Sequence, residues 1–107
     1  MTRHRVKITV LKRVTPEYIF DGDVPTRPNG EKYTICTAFK EGEEYMVEPN
    51  MQCPEKFCSY AWKDIHSDVR VLALGGDHSP WVESPKMISC CTDGIRPVSF
   101  TLERLDN

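Results

Sequence analysis

Five cysteines occur in this chain of 107 residues: Cys36, Cys53, Cys58, Cys90 and Cys91. A thiol can act as nucleophile, acid–base group or metal ligand. The count is odd, so in a reducing compartment free thiols, metal ligands or a reactive cysteine are expected ahead of a disulfide framework. Cys90 and Cys91 are adjacent, and on a strand their side chains leave opposite faces. A two-residue turn at Asp93-Gly94 pairs Thr92 with Ile95 and Cys91 with Arg96. Cys91, Arg96, Val98 and Phe100 then share the apolar face. A guanidinium beside a thiol in a partly dry site favours the thiolate or holds an anionic substrate. Pro97 can shift that register by one and exchange Cys90 for Cys91.

Cys53 precedes Pro54, a residue suited to the first helical position. Cys53 is therefore expected at a helix N-cap, where the positive end of the dipole lowers a thiol pKa. Against this stands the plain reading of a cysteine that merely occupies the cap. Cys58 precedes Trp62 by one turn and reads by default as core filler, or else as the wall of a pocket between helix and sheet. Cys36, next to Ile35 on an expected strand, reads as core. His78 lies in a Gly75-Gly76-Asp77-His78-Ser79-Pro80-Trp81 loop, where a histidine is more often simply solvated but can also shuttle a proton near neutral pH. Asp93 is expected to serve its turn, and Asp64 and Asp68 to form a solvated helix face. Zinc modules usually carry paired Cys knuckles. Here the only spaced pair is Cys53-x4-Cys58, so a metal set of Cys53, Cys58, Cys90 and His78 is the weaker alternative. No motif names a cofactor, and a metal ion is the alternative to having none.

The elements that must position these groups follow from periodicity. Residues 5–14 alternate, with Val6, Ile8, Val10 and Val14 on one face and Arg5, Lys7, Thr9 and Arg13 on the other, as in a half-buried antiparallel strand. Residues 33–39 and 43–48 are expected to pair as a hairpin about Lys40-Glu41-Gly42. One helix is expected from Pro54 to about Leu74. Cys58, Trp62, Ile65, Val69 and Leu72 form its apolar stripe, and Gly75-Gly76 stops it. Met87–Thr92 and Pro97–Leu105 read as a final hairpin. Residues 15–33, rich in Pro, Gly and charge, form a loop excursion that Tyr18-Ile19-Phe20 would tack down. The order gives an α+β class: a small antiparallel sheet or partly open barrel with one main helix packed across it. Residues 1–107 are expected to form a single domain.

Composition sets the bounds. The net charge is −2 and the apolar fraction 39%. The basic residues Arg3, His4, Arg5, Lys7, Lys12 and Arg13 are interleaved with apolar ones, so no nucleic-acid partner is expected. No apolar run approaches a membrane span and the first residues lack a signal-peptide core, which points to a cytoplasmic location with no membrane partner. A core this small, with edge strands, leaves room for a homo-oligomer.

Four stretches carry a family resemblance: Val6-Lys7-Ile8-Thr9-Val10-Leu11, Phe39-Lys40-Glu41-Gly42, Pro54-Glu55-Lys56-Phe57-Cys58-Ser59-Tyr60-Ala61-Trp62 and Cys90-Cys91-Thr92-Asp93-Gly94-Ile95-Arg96-Pro97-Val98. On these the chain resembles a family of small uncharacterised cysteine-containing proteins common in anaerobic bacteria and archaea. The resemblance covers most of the chain apart from residues 15–33. In many relatives a proline follows the first cysteine, whereas Thr37 follows Cys36 here, which sets Cys36 apart from any role shared in the family. The resemblance implies no particular activity, so function must be read from the residues.

The reading that uses most of them is a small enzyme acting on a small molecule. Its site lies where the start of the helix meets the final hairpin. Cys91, Cys90 or Cys58 supplies the thiol, Arg96 binds an anionic group, His78 shuttles a proton, and Trp62 and Trp81 form apolar walls. Isomerisation, addition–elimination and hydrolysis all remain open. The alternatives are a Cys/His metal-binding protein and a non-catalytic interaction module or subunit.

Overall fold

The structure, a computed structural model, describes residues 2–105. Met1, with which the N-terminal reading begins, lies outside the described residues. Four strands form one antiparallel sheet: β1 (Val6–Arg13), β2 (Glu44–Val47), β3 (Lys86–Cys90) and β4 (Val98–Arg104), in the order β2-β1-β4-β3. The sheet is open, with β2 and β3 as its edges, so no barrel closes. One long helix, α2 (Ser59–Ala73), packs on one face, and a single-turn helix, α1 (Pro16–Ile19), follows β1. The class is α+β, as the alternation and order imply.

β1 shows why. Val6, Ile8 and Val10 are buried on the helix side while Lys7 and Thr9 stand on the other. β4 supplies Val98, Phe100 and Leu102 to the same layer. The ladder slips between Val10 and Lys12, a bulge that ends the regular alternation before Val14. From α2 come Ala61, Ile65, Val69, Leu72 and Ala73. Burying a side chain such as Ile65 or Leu72 contributes about 1.5–3 kcal/mol, so this apolar face is the main attachment of the helix to the sheet. Beside it Phe39, Phe57 and Phe100 pack with ring centroids 5.0–5.7 Å apart.

Three expectations change. Residues 33–39 form no strand. β2 pairs with β1 instead, and Gly42, at φ +87, donates its N–H to Val10 C=O at 2.8 Å as the chain turns toward β2. The helix starts at Ser59 and not at Pro54, because Lys56 takes φ +66 and Phe57 N–H closes a tight turn onto Pro54 C=O at 3.1 Å. Its buried stripe consequently runs through Ala61 and Ile65, leaving Cys58 and Trp62 half-buried at its margin. The excursion is tacked down by buried Pro16 and Val24, whereas Tyr18 is 78% exposed.

Charged side chains place the remaining segments. Arg13 donates from Nη1 to Cys36 C=O at 2.9 Å and from Nε to Glu41 at 3.1 Å, fixing residues 36–41 against β1. Arg104 donates to Leu72 C=O at 3.3 Å and to Gly76 C=O, putting a cation at the negative end of α2. Gly75, at φ +93, closes the helix as expected. Among the described residues no helix is long and apolar enough to cross a membrane.

Candidate functional site

Where α2 begins, a cleft of about 470 Å³ opens between the helix, the 33–39 segment and the loop joining β3 to β4. That size suits a small molecule. Each wall is set by local structure. Phe39, 3% exposed, anchors the end of the 33–39 segment in the aromatic cluster, and Arg13 holds Cys36 from outside. The segment therefore passes over the sheet edge in irregular form and turns Cys36, Thr37 and Ala38 to the cleft.

Cys58 is the N-cap of α2, in extended conformation, and its side chain makes no cap hydrogen bond. The first intrahelical bond runs from Trp62 N–H to Cys58 C=O at 3.0 Å. The first turn contains no acidic residue. The N–H groups ahead of Trp62 thus have no acceptor within the helix, and this end of the dipole faces the cleft beside Tyr60 and Ala61.

The third wall is the β3–β4 connection. β3 and β4 pair as Cys90 with Ser99, and Cys91 N–H continues the ladder to Val98 C=O at 3.0 Å. The connection is therefore six residues long, 92–97, and not a two-residue turn. Relative to the expected register the pairing has moved by two, which preserves the faces. Cys91, Val98 and Phe100 lie together on the apolar side, and Arg96 reaches the same cleft. Cys91 is 7% exposed, and Val98 N–H also points at its Sγ at 3.3 Å. Cys90 projects to the opposite, exposed face of the sheet.

Asp93 organises this loop. Its Oδ1 accepts from Ile95 N–H at 3.0 Å and Arg96 N–H at 3.3 Å, and its Oδ2 accepts from Arg96 Nε at 3.1 Å. Partial burial works against ionisation of Asp93, but these donors and the guanidinium outweigh it and hold the carboxyl below its ordinary value. The Arg96 guanidinium also stacks on the Tyr33 ring, 5.4 Å from its centroid, and Arg27 stacks on the same ring at 4.6 Å. Tyr33, Asp93 and Arg96 all line the cleft.

The structure thus gathers Cys58, Cys91 and Arg96, and adds Cys36, Tyr33, Tyr60 and Asp93. The other candidates lie elsewhere. Trp62 is half-buried beside Phe57, and Trp81 is 77% exposed on its loop. Neither lines the cleft: the late start of the helix presents Tyr60 and Ala61 there in place of Trp62, and Trp81 lies in the loop beyond the other end of α2. His78 is also outside it. Its Nε2 is buried without a hydrogen-bond partner, 4.0 Å from Asp68 Oδ1. Cys53 is not an N-cap. Burial and the nearby Cys58 push its thiol pKa up, opposite to the expected lowering, and its S–H faces Pro54 C=O at 3.6 Å. Among the described residues no group of three or more His, Cys, Asp or Glu side chains is placed to hold a metal ion, so Cys53, Cys58, Cys90 and His78 do not converge.

Asp64 and Asp68 are not a solvated face. Asp64 accepts from Thr92, and Asp68 Oδ2 accepts from Ser89 Oγ at 3.1 Å. Both brace β3 and its loop against α2. Their i, i+4 spacing on the helix was the available signal, since it puts both on one side. Comparison with protein-family models, curated proteins and solved structures finds no match; the chemistry is read from the cleft alone.

Proposed function

We propose that the cleft is the active site of a small enzyme that uses a cysteine thiol on a small anionic molecule. The observation that carries this reading is the meeting of Cys58, Cys91 and Arg96 in one cleft at the uncapped start of α2. Arg96 and the free N–H groups attract and orient the anion. Cys58, the more exposed of the two cysteines, is the attacking group, and Cys91 is buried. Sulfur adds to an electrophilic carbon: the S–C bond forms, the π pair of that carbon's double bond moves to the adjoining atom, and the thiol proton is released for transfer to it. This first step is common to addition–elimination, isomerisation by reversible addition, and thiol-mediated hydrolysis. Chemistry that depends on free thiols fits a reducing compartment such as the cytoplasm.

The test compares iodoacetate with iodoacetamide. A free thiol in water has no attraction for the charged reagent. In this cleft the carboxylate of iodoacetate docks on Arg96, so Cys58 is alkylated faster by iodoacetate, and Arg96→Ala abolishes the difference while the chain stays folded. Mass spectrometry of labelled peptides identifies the site. Cys58 unreactive in the folded chain, or indifferent to the charge of the reagent, overturns the reading.

A further inference from the structure

Arg96 is held in a way that narrows the ligand. Asp93 occupies its Nε at 3.1 Å, and the Tyr33 ring lies against the guanidinium face at 5.4 Å. One edge and one face of the group are thereby used, and the plane is fixed. What remains for a ligand is the Nη pair, whose spacing matches the two oxygens of a carboxylate. Charge narrows it further. Of the charged side chains only Asp93 and Arg96 line the cleft, and they neutralise one another at contact distance; Arg27 stacks on Tyr33 without lining it, so the N-terminus of α2, worth about half a positive charge, is the excess on the cleft wall. One negative charge suits that field. A second would sit in the repulsion of Asp93 with no further cation on the cleft wall to offset it. Beyond the charged corner the walls are apolar, formed by Phe39, Ala61 and Val98, with Cys58 between.

We propose that the cleft selects a short monocarboxylate over phosphate and other dianions, with Arg96 as a planar carboxylate clamp that Asp93 and Tyr33 position. The proposal rests on the anion-binding thiol site described above and names its ligand class. The carboxylate meets the Nη pair, the carbon chain lies along Phe39, Ala61 and Val98, and the carbon next to the carboxylate, or one beyond it, comes within reach of Cys58.

The experiment measures protection of Cys58 from iodoacetamide by propionate, inorganic phosphate and neutral propionamide at matched ionic strength, with amide NMR shifts of the full chain as a second readout. Propionate protects saturably and about tenfold better than phosphate, and propionamide does not protect, as expected of a charge-assisted fork. Arg96→Lys keeps the charge, loses the fork and cuts the preference for propionate about tenfold. Asp93→Asn keeps the oxygen that accepts the Ile95 and Arg96 backbone N–H groups but removes both the charge and the acceptor of Arg96 Nε, so the clamp is released and binding shifts toward phosphate. Phosphate protecting as well as propionate, or Arg96→Lys retaining the full preference, overturns the carboxylate inference while leaving a thiol site for anions. If Cys58 reacts with neither iodoacetate nor iodoacetamide in the folded chain, the thiol-site reading fails and takes the inference with it.

Discussion

The carboxylate of Asp64, on the second turn of α2, accepts the backbone N–H of Thr92 at 2.8 Å and its hydroxyl at 3.0 Å. Lys63 bridges the same pair, 2.8 Å from Asp64 Oδ1 and 3.1 Å from Thr92 Oγ1, and lies over the Tyr60 ring at 4.1 Å. Lys63 and the two Thr92 donors hold the Asp64 carboxyl below its ordinary value despite burial. This network closes the distance between the helix that carries Cys58 and the strand end that carries Cys91. It is what makes one cleft out of two elements separated in sequence.

Asp64→Ala therefore strands a Thr92 N–H and loosens the loop. Losing this partly exposed charged acceptor costs on the order of 1 kcal/mol, since solvent can reach part of the site. Asp64→Asn can still accept from Thr92 N–H and should recover part of that. Denaturant midpoints at unchanged slope measure the loss. The Cys91 labelling rate, raised more than stability alone accounts for, reports the opened cleft. An Asp64→Ala chain as stable as the parent, with Cys91 still shielded, would contradict this role.

The pattern of what the sequence revealed has a physical cause. Period-two alternation is insensitive to a slip of two, so Cys91 lies on the apolar face as the two-residue turn implies, and the exchange with Cys90 that Pro97 allowed does not occur, although the turn at Asp93-Gly94 is longer than two residues. The start of the helix was not legible, since Pro54 suits a first helical position and equally a turn. Lys56 at positive φ decides between them, and nothing in its residue type announces that conformation. Residues 33–39 carry strand-forming types, yet the aromatic anchor at Phe39 and the Arg13 bond to Cys36 hold them off the sheet. The Arg13 bond and the Phe39–Phe100 contact both join residues more than 20 apart in the chain. For the same reason Cys36 and Tyr33 could not be placed in the cleft from spacing, nor Trp62, Trp81 and His78 placed outside it.

Phe57 sits between Phe39 at 5.0 Å, Tyr45 at 5.0 Å and Phe100 at 5.7 Å, and is 7% exposed. It pins the turn that precedes Cys58. Phe57→Ala should cost about 3–5 kcal/mol, as full truncation of a packed aromatic does. Trp81→Ala, at an exposed site, should stay within about 0.5 kcal/mol. Chemical denaturation of the two variants side by side checks both values. Equal losses would mean that the aromatic cluster is not the core.

The tether between β1 and the 36–41 segment should yield to acid only as pH falls toward 2. Hydrogen bonds from Arg13 lower the Glu41 pKa from 4.5 to about 2. A carboxylate whose folded value lies below its unfolded one stabilises the fold above the unfolded value, and that contribution fades as pH falls through the folded one. The Arg13–Glu41 contribution is thus complete above about pH 4.5 and gone near pH 2. Glu41→Gln should lower stability at neutral pH, where the contribution is complete, and flatten its pH dependence across that window. The carboxyl 13C shift of Glu41, titrating near its ordinary value, would show that the tether is absent.

Cys53 and Cys90 are both exposed, and the environment of Cys53 separates them. Burial of the Cys53 sulfur and the negative charge that Cys58 can carry push its pKa up, and the Cys53 S–H faces the carbonyls of Pro54 at 3.6 Å and Phe57 at 3.9 Å, contacts that only the protonated form makes. Since the thiolate is the species that reacts, Cys53 should label more slowly than Cys90 near neutral pH despite its exposure, and the gap should narrow as pH rises. The coupling also has a direction: Cys58→Ser removes one source of the upward shift, so Cys53 should then label faster at a given pH. Peptide-resolved alkylation rates between neutral and alkaline pH measure both effects. Cys53 labelling at the rate of Cys90 throughout, unmoved by Cys58→Ser, would show that its sulfur is turned to solvent and that the turn before α2 is not closed as described.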